Sequence, residues 1–339
     1  MRLIPAIAVC AILIAGCDRT PVPIELSGPA QGTTYSVKVA KPPAGVDSYA
    51  VRVVVDEVLQ TIDLQMSGYR EDSEISRFNR STSTDWFEVS QDLATVVSAA
   101  LQVSGQSQGT LDITVAPLVN LWGMGPQGEH DRWPTDTEVA EARAQVGYRN
   151  LSVREHPAAL RKALPGLTVD LNAVAPGYTV DLLVARLTAL GITNFMIDIG
   201  GEVRAHGRNA QGELWRIAVE RPVDTDPQPY AIVQLDDAAV TTSGEYRHYI
   251  VRDGQRYSHT IDPRTGRPVQ HNLASVVVVS RTALDADAWA TALNVLGADE
   301  GYALAMQRQI PALFIVEHDG RLESRMTPQF RPFMAVGTK

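Results

Sequence analysis

The chain reads Phe-Met-Ile-Asp-Ile over residues 195–199 and then Gly-Gly at 200–201. A short run of large apolar residues that stops at two glycines is typical of a buried strand that ends in a turn. Four more strand-like runs follow, at residues 214–220, 230–235, 247–252 and 274–280. Because these strands come in succession instead of alternating with helices, they predict an α+β fold with mixed, largely antiparallel sheets.

Several other segments have apolar residues at helical spacing. In residues 51–66, for example, one stripe runs from Val51 through Val58 to Met66. The predicted helices cover residues 51–66, 93–107, 136–146, 180–190 and 282–296. Further strands are predicted at residues 32–39, 312–317, 322–325 and 333–335.

The composition and net charge of the chain indicate which classes of binding partner it can have. The 339 residues are 45% hydrophobic and 20% charged, which is ordinary for a globular protein with a substantial core. The formal net charge of −9 argues against nucleic acid or an anionic membrane surface as the main partner. A phosphate-bearing ligand would need a cation or backbone amides to neutralise its charge.

The N-terminus has the features of an export signal. Arg2 precedes a mostly apolar stretch that is too short for an ordinary spanning helix. Ile14-Ala15-Gly16-Cys17 then resembles a bacterial lipobox. We expect residues 1–16 to be a lipoprotein signal peptide and Cys17 to carry the lipid. In the alternative interpretation, this is a plain signal peptide and Cys17 occurs there by chance.

The residues after Cys17 complete this prediction. Residues 17–30 are Pro-rich and poor in large apolar groups, which predicts a tether ahead of a domain over residues 31–335. Removal of Cys10 with the signal would leave that domain without a disulfide. Asp18 resembles an inner-membrane retention signal, so we expect a lipid-anchored protein of the inner membrane that faces the periplasm.

The segment Tyr257–Val269 combines a strand with a tight turn. Tyr257 to Ile261 has β-branched and aromatic bias, and Asp262-Pro263-Arg264-Thr265-Gly266 has turn chemistry. A strand that ends at such a turn places His259 on a rigid element, as catalysis requires. On these residues alone, a purely structural histidine is an equally good interpretation.

Asp287 and Thr291 lie four residues apart in the helix predicted at 282–296, so they share one face of it. A carboxylate and a hydroxyl in that arrangement can supply two oxygen ligands to a hard cation such as Mg²⁺. In the alternative interpretation, the aspartate only stabilises the helix dipole.

Three glycine-containing turns permit close approach of a ligand to the backbone. They lie in residues 105–115, 169–181 and 198–202, and the second leads into a helix N-terminus, which favours anions. The sequence has no P-loop and no GxGxxG that opens a βαβ unit, so a nucleotide would not be held in the Rossmann manner. Zinc-ligand spacing is also absent from the sequence.

Taken in order, these motifs resemble the ApbE family of FAD:protein FMN transferases. The resemblance covers residues 31–335 and rests on many motifs. They are Gly32-Thr-Thr-Tyr35, Met66-Ser-Gly-Tyr69, Ser73–Asn79, Gly109–Leu118, Leu121-Trp-Gly123, Val169–Asp181, Asp198–Glu202, Thr242–Tyr246, Ser258–Gly266 and Ala286–Thr291.

The resemblance implies an exported enzyme with two α/β lobes and a flavin cleft between them. Such an enzyme cleaves the pyrophosphate of FAD, joins FMN through its phosphate to a Thr or Ser hydroxyl of a partner protein, and releases AMP. The implied partners are flavin-carrying subunits of respiratory complexes, of the sodium-pumping NADH:quinone reductase or Rnf type.

The resemblance also implies the roles of individual residues. His259 is the candidate general base, and Mg²⁺ is held by Asp287, Thr291 and the carbonyl of Ala173. The FAD contacts carried over are Gln31, Tyr69, Thr110, Leu111, Asp112, Asp170, Pro176 and Ile261.

Three positions depart from the family pattern. Gln31 stands where Met is common, and Asn172 replaces a small residue. Pro176 replaces the usual Lys or Glu, which removes a side-chain contact and a backbone donor if that position touches the ligand. Two alternative functions therefore stay open: FAD hydrolysis to FMN and AMP, and non-catalytic binding of FAD by a lipoprotein.

Overall fold

A computed structural model describes residues 22–126, 128, 132–222, 228–244, 249–252 and 255–335. The predicted signal peptide (residues 1–16) and the predicted lipidation site, Cys17, lie outside these residues. In the part of the chain that is described, no helix has both the length and the apolar character needed to cross a membrane.

The helices largely follow the apolar periodicity of the sequence. They are α1 (Ser48–Met66), α2 (Glu74–Arg80), α3 (Gln91–Gln106), α4 (Ala116–Leu121), α5 (Asp136–Arg143), α6 (Ala175–Ala189) and α7 (Ala283–Arg308). Helix α6 begins five residues before the predicted start at residue 180. Pro176 lies in its first turn, where the missing N–H of proline costs the helix nothing.

The strands are more numerous than the sequence patterns predict. They are β1 (Ile24–Ala30), β2 (Thr33–Val39), β3 (Phe87–Glu88), β4 (Leu151–Glu155), β5 (Ala158–Lys162), β6 (Phe195–Ile199), β7 (Glu202–His206), β8 (Trp215–Glu220), β9 (Pro229–Leu235), β10 (Ala238–Gly244), β11 (Tyr249–Arg252), β12 (Gln255–Ser258), β13 (Ile261–Asp262), β14 (Arg267–Pro268), β15 (Leu273–Ser280), β16 (Ala312–His318) and β17 (Arg321–Met326).

Eight of these strands form one large sheet in the order β1-β2-β6-β7-β10-β15-β16-β17. Every neighbouring pair in it is antiparallel. The prediction of an α+β fold with largely antiparallel sheets is therefore confirmed. The large sheet runs through most of the described chain, and a flavin cleft between two lobes stays a prediction.

Both faces of the large sheet are covered, as β15 illustrates. Val276 and Val278 pack into a core shared with α1, α3, α6 and α7. Val277 and Val279 point to the opposite face and pack into a second core with β8 and β9. A strand buried on both faces reads as a continuous apolar run, which is why residues 274–280 show no alternation.

The predicted tether is wrong in its second half. Residues Ile24–Ala30 form β1, an edge strand that pairs with β2 in register from Ile24↔Val39 to Ala30↔Thr33. Ile24 and Leu26 are buried in the core. The prolines of this segment suggested a linker, but a proline is tolerated in an edge strand. The folded domain therefore begins before residue 31.

Two other boundaries differ from the predictions. Helix α7 does not stop at Gly297 but bends there, where φ is 77° and ψ is −172°, and continues to Arg308. The predicted strand at residues 333–335 is not a strand: Phe333 is the last residue of a 3₁₀ helix, Pro328–Phe333. Met334 retains a single bridge to Val233.

Candidate functional site

The candidate site is built where the N-terminal ends of α6 and α7 meet. The carboxylate of Asp181, on α6, accepts hydrogen bonds from the backbone N–H groups of Ala283 and Leu284, both at 2.9 Å. These are orphan donors of the first turn of α7, so a side chain of one helix caps the other. The start of α7 is therefore fixed relative to α6.

A second contact between the same helices runs in the opposite direction. Asp287, on α7, accepts a hydrogen bond at 3.1 Å from the backbone N–H of Gly177 on α6. A Cβ at Gly177 would lie 2.5 Å from the carbonyl oxygen of Ala283, so only glycine permits this approach. Asp287 is buried and its direction is fixed by backbone atoms.

The electrostatics of this junction favour a cation. Burial, and to a smaller extent the charge of Asp181, raise the pKa of Asp287 to about 7. Burial and the charge of Asp287 raise the pKa of Glu202, at the start of β7, well above its ordinary value. Carboxylates that disfavour one another's charge are stabilised by a bound cation.

The predicted ligand set fits Mg²⁺ on this geometry. Asp287 and Thr291 lie one turn apart on α7, and Ala173 lies in the turn that leads into α6, four residues before Gly177. All three donors are oxygens, as Mg²⁺ prefers. The described residues contain no cluster of three or more His, Cys, Asp or Glu side chains that could hold a metal ion.

The start of α6 does not provide the anion site that its position suggests. The N–H of Ala175 donates to Leu171, that of Gly177 to Asp287, and that of Tyr178 to Val174. Pro176 has no N–H. The first turn of α6 therefore has no free backbone donor to offer a phosphate, and charge neutralisation falls to a cation.

His259 is held close to this junction by a contact between α7 and the chain after β12. Asn294, three residues beyond Thr291, donates a hydrogen bond from Nδ2 to Oγ1 of Thr260 at 3.3 Å. Ser258 Oγ accepts a hydrogen bond from the N–H of Thr260 at 2.8 Å and bends the chain between them. His259 lies at that bend with an exposed side chain, as a group that must meet an incoming substrate requires.

The turn after His259 has the predicted chemistry. The N–H of Gly266 donates to the carbonyl of Asp262 at 2.8 Å, and Gly266 has a φ of 74°, which favours glycine. The carboxylate of Asp262 accepts hydrogen bonds from the backbone and the guanidinium of Arg264. Because this ion pair satisfies Arg264, the turn presents no unpaired cation.

Two loops that carry predicted FAD contacts are joined to each other. The N–H of Asp170 donates to the carbonyl of Ile113 at 2.7 Å, which brings Asp170 beside the segment Thr110–Asp112. The carboxylate of Asp112 accepts hydrogen bonds from Thr114 and from the N–H of Tyr148. Burial raises the pKa of Asp112 and of Asp170. With its carboxylate engaged in this way, Asp112 organises the loop.

The other predicted FAD contacts lie on several different elements. Gln31 donates from Nε2 to Oγ1 of Thr179 at 2.7 Å, which brings the β1–β2 turn onto α6. Tyr69 is 65% exposed just beyond α1. Leu111 and Ile261 are buried, and Thr110 donates to the carbonyl of Ser107. These positions stay predictions as FAD contacts.

Two residues of the junction were not singled out from the sequence. Asp181 and Glu202 were each part of a quoted motif, but nothing in their local pattern indicated proximity to Asp287. Each interacts with residues far away in the sequence. Asp181 accepts a hydrogen bond from the start of α7, and the charge of Asp287 raises the pKa of Glu202. The one local signal was the pair Gly200-Gly201. Two glycines in a turn permit a close contact with another element, and Glu202 follows them directly.

The chain is similar to known proteins over most of its length. The ApbE family profile matches residues 31–314. The chain is 43% identical to a FAD:protein FMN transferase of Vibrio cholerae over 96% of each chain, and 35% identical to one of Escherichia coli K12 over 97% of this chain and 96% of that one.

Solved structures give the same result for the fold. The flavin transferase ApbE of Vibrio cholerae superposes with a TM-score of 0.85 at 43% identity, over 92% of this chain and 99% of that chain. The apo flavinyl transferase ApbE of Pseudomonas stutzeri also gives 0.85, at 39% identity over 93% and 98%. The protein described here belongs to the ApbE family.

Proposed function

We propose that this protein transfers FMN from FAD to a Thr or Ser hydroxyl of an acceptor protein and releases AMP. Relatives that share more than a third of its residues over nearly their whole length carry the name FAD:protein FMN transferase. The observation that carries the proposal is the buried Asp287 carboxylate, oriented by Gly177 and followed one turn later by Thr291. That pair provides oxygen ligands next to the loops that the resemblance assigns to FAD.

Asp287, Thr291 and the carbonyl of Ala173 would hold Mg²⁺. When bound, Mg²⁺ supplies positive charge to the pyrophosphate of FAD. The chain's own contribution is to keep Asp287 in one orientation through Gly177 and to keep α7 in place through Asp181. In phosphoryl transfer, such positioning is the main task of the protein.

His259 would act as the general base. Its imidazole takes the proton of the acceptor hydroxyl, whose oxygen forms a bond to the FMN phosphorus. The bond between that phosphorus and the bridging oxygen breaks, and the bridging oxygen leaves with AMP. Histidine is the side chain most often used for proton transfer near neutral pH.

The direct test uses the purified protein, FAD, Mg²⁺ and a flavin-carrying subunit of the sodium-pumping NADH:quinone reductase type as acceptor. We expect an FMN adduct by mass on the acceptor and one AMP for each adduct. The His259→Ala variant is expected to slow transfer at least about 100-fold while FAD still binds. No adduct, under conditions in which a known relative works, would refute the proposal.

The same assay separates the two alternative functions. A hydrolase would release FMN and AMP without acceptor, at a rate that matches its turnover with acceptor. A non-catalytic binding protein, for which Pro176 is the motivation, would hold FAD tightly and form neither product. The ratio of adduct to free FMN decides among the three.

The proposed location rests on the sequence alone. A lipid on Cys17 would anchor the protein to the inner membrane and place the domain in the periplasm, where it would meet the respiratory acceptors named above. The Cys17→Ser variant should move from the membrane fraction to the soluble periplasmic fraction. If its distribution is unchanged, Cys17 is not the anchor.

A further inference from the structure

A cavity of about 670 Å³ lies beside the segment that carries His259. Its walls come from the loops around β12 to β14, from α4 and the start of α5, and from α7. They consist of Trp122, Trp133, Pro134, Tyr257, Asp262, Thr265, Arg267, Pro268, Val269, Gln270, His271, Val295 and Leu296. None of the residues assigned above to FAD or Mg²⁺ is among them.

The cavity is continuous with the candidate active site along two elements. Tyr257 and Asp262 both line it, and His259 lies between them, two residues after Tyr257 and therefore within about 7 Å of it along the chain. On α7, Val295 follows Thr291 by four residues, a rise of about 6 Å. The cavity therefore lies next to the segment that carries His259.

The aromatic wall of this cavity is formed by three rings that pack on one another. The rings of Trp122 and Trp133 lie 5.3 Å apart at 57°, and those of Trp133 and Tyr257 lie 4.4 Å apart at 54°. Together with Val295 and Leu296, they form an apolar surface that suits aliphatic side chains.

The rest of the wall suits a polypeptide. Thr265 and Gln270 have side chains that can donate to and accept from a peptide backbone. The charges at this wall are balanced in pairs, Asp262 with Arg264 and Arg267 with Asp136. An apolar floor with Trp and Tyr and a polar rim is the usual composition of a protein–protein contact that contributes strongly to binding.

We propose that this cavity binds the segment of the acceptor protein next to its flavinylated Thr or Ser and buries one large apolar side chain of it. The proposal rests on the proposed function, because only a transfer reaction brings a second polypeptide to His259. A hydroxyl side chain alone offers little binding energy, so the residues beside it must be held for the hydroxyl to reach the phosphorus. The cavity lies where those residues would be.

The test fills the cavity in the folded protein. In the full chain with Cys10→Ser and Cys17→Ser, the variant Leu296→Cys carries one thiol, which is then coupled to a bulky maleimide. Met306→Cys, later in α7 and 39% exposed, is the matched control. We expect the label at position 296 to raise the KM for the acceptor subunit at least tenfold and to change the FAD dissociation constant less than twofold. The label at position 306 should change neither.

Direct binding of the acceptor subunit to the FAD-loaded protein is measured in parallel. If the unlabelled protein forms no adduct, the proposed function fails, yet loss of acceptor binding on labelling would still support the cavity as the docking site. If the label weakens FAD binding instead, the cavity is a flavin site and the proposal is wrong. Unchanged acceptor binding and KM would also overturn it.

A second variant covers the case in which Leu296→Cys does not fold. Trp133→Ala removes part of the aromatic wall, and its control is Trp86→Ala, a tryptophan packed between Arg154 and Arg161 on the small sheet of β3, β5 and β4. We expect only Trp133→Ala to raise the KM for the acceptor subunit while kcat and FAD binding are retained. Equal effects of both variants would contradict the proposal.

Discussion

The N–H of Gly177 donates a hydrogen bond to Asp287, which lies 110 residues later in the sequence. This contact orients the Asp287 carboxylate, the main candidate ligand for a metal ion. The same two helices meet a second time where Asp181 caps α7. Each helix therefore holds the other's N-terminal turn, and the geometry of the site depends on their relative position more than on any flexible side chain.

Asp287→Asn is expected to abolish Mg²⁺-dependent transfer with little change in fold. The amide oxygen of asparagine can still accept the hydrogen bond from Gly177, but the negative charge is lost. Loss of several kcal/mol of charge stabilisation corresponds to a decrease in kcat of at least about 100-fold. Asp285→Asn, two residues away and bound to Ser280, is the control and should keep activity near that of the wild type. An active Asp287→Asn protein would refute the metal assignment.

The metal-free protein is expected to lose stability as the pH rises from about 4 to about 7. An Asp in an unfolded chain titrates near 3.9, whereas burial raises the pKa of Asp287 to about 7. Between these values the folded state holds a proton that the unfolded state has released, so the free energy of unfolding falls as the pH rises. The raised pKa values of Asp181 and Glu202 act in the same direction.

Thermal unfolding in EDTA at pH 4.5, 6 and 7.5 measures this effect. We expect a smaller pH dependence in Asp287→Asn than in the wild type, by a difference on the order of 1–3 kcal/mol. Added Mg²⁺ should raise the Tm more at pH 7.5 than at pH 4.5, because the carboxylate must be deprotonated to bind it. A wild type and a variant with parallel pH profiles would show that Asp287 titrates normally.

Gly177→Ala should disturb the site without touching any proposed ligand. The added Cβ would lie 2.5 Å from the carbonyl oxygen of Ala283 and 2.9 Å from Cα of Leu284, both backbone atoms that cannot move aside cheaply. We expect a destabilisation of about 1–3 kcal/mol and a weaker affinity for Mg²⁺.

The control is Gly105→Ala in α3, where a Cβ meets nothing within 4 Å. For this variant we expect the free energy of unfolding to rise by about 0.5–1 kcal/mol. Urea unfolding and Mg²⁺ titration measure both effects. If the two variants behave alike, the helices are not packed as described.

Part of the fold could be predicted because local pattern and tertiary burial agree. Val276 to Val279 form an unbroken apolar run because β15 is buried on both faces, and α1 keeps one apolar stripe because it packs on one core. β10 was missed because its last residues, Thr-Thr-Ser-Gly, resemble a loop, and only its neighbours β7 and β15 make it a strand. β1 was missed because Pro29 and the prolines just before the strand outweighed its three buried residues, Ile24, Leu26 and Ala30.

The candidate site, too, could be predicted only in part from the sequence. Asp287 and Thr291 could be paired from the sequence because their relation is a helical repeat. Contacts between elements that are distant in the chain determine the roles of Asp181, Gly177 and Glu202. Such contacts cannot be predicted from the local sequence pattern. His259 was placed on a strand end, yet its proximity to α7 depends on a hydrogen bond between Thr260 and Asn294.

Pro176→Lys tests the departure from the family pattern at the start of α6. Pro176 is half-buried in the first turn, and no free N–H of that turn compensates for the missing side chain. A lysine would add a cation beside the loop that leads to Ala173, where the resemblance predicts FAD. We expect the dissociation constant for FAD to fall at least threefold, which corresponds to about 0.7 kcal/mol.

Pro117→Lys, at the same position of the first turn of α4 and equally half-buried, is the control and should leave FAD binding unchanged. Isothermal titration with FAD measures both. Weaker or equal binding in Pro176→Lys would show that the start of α6 does not face the ligand.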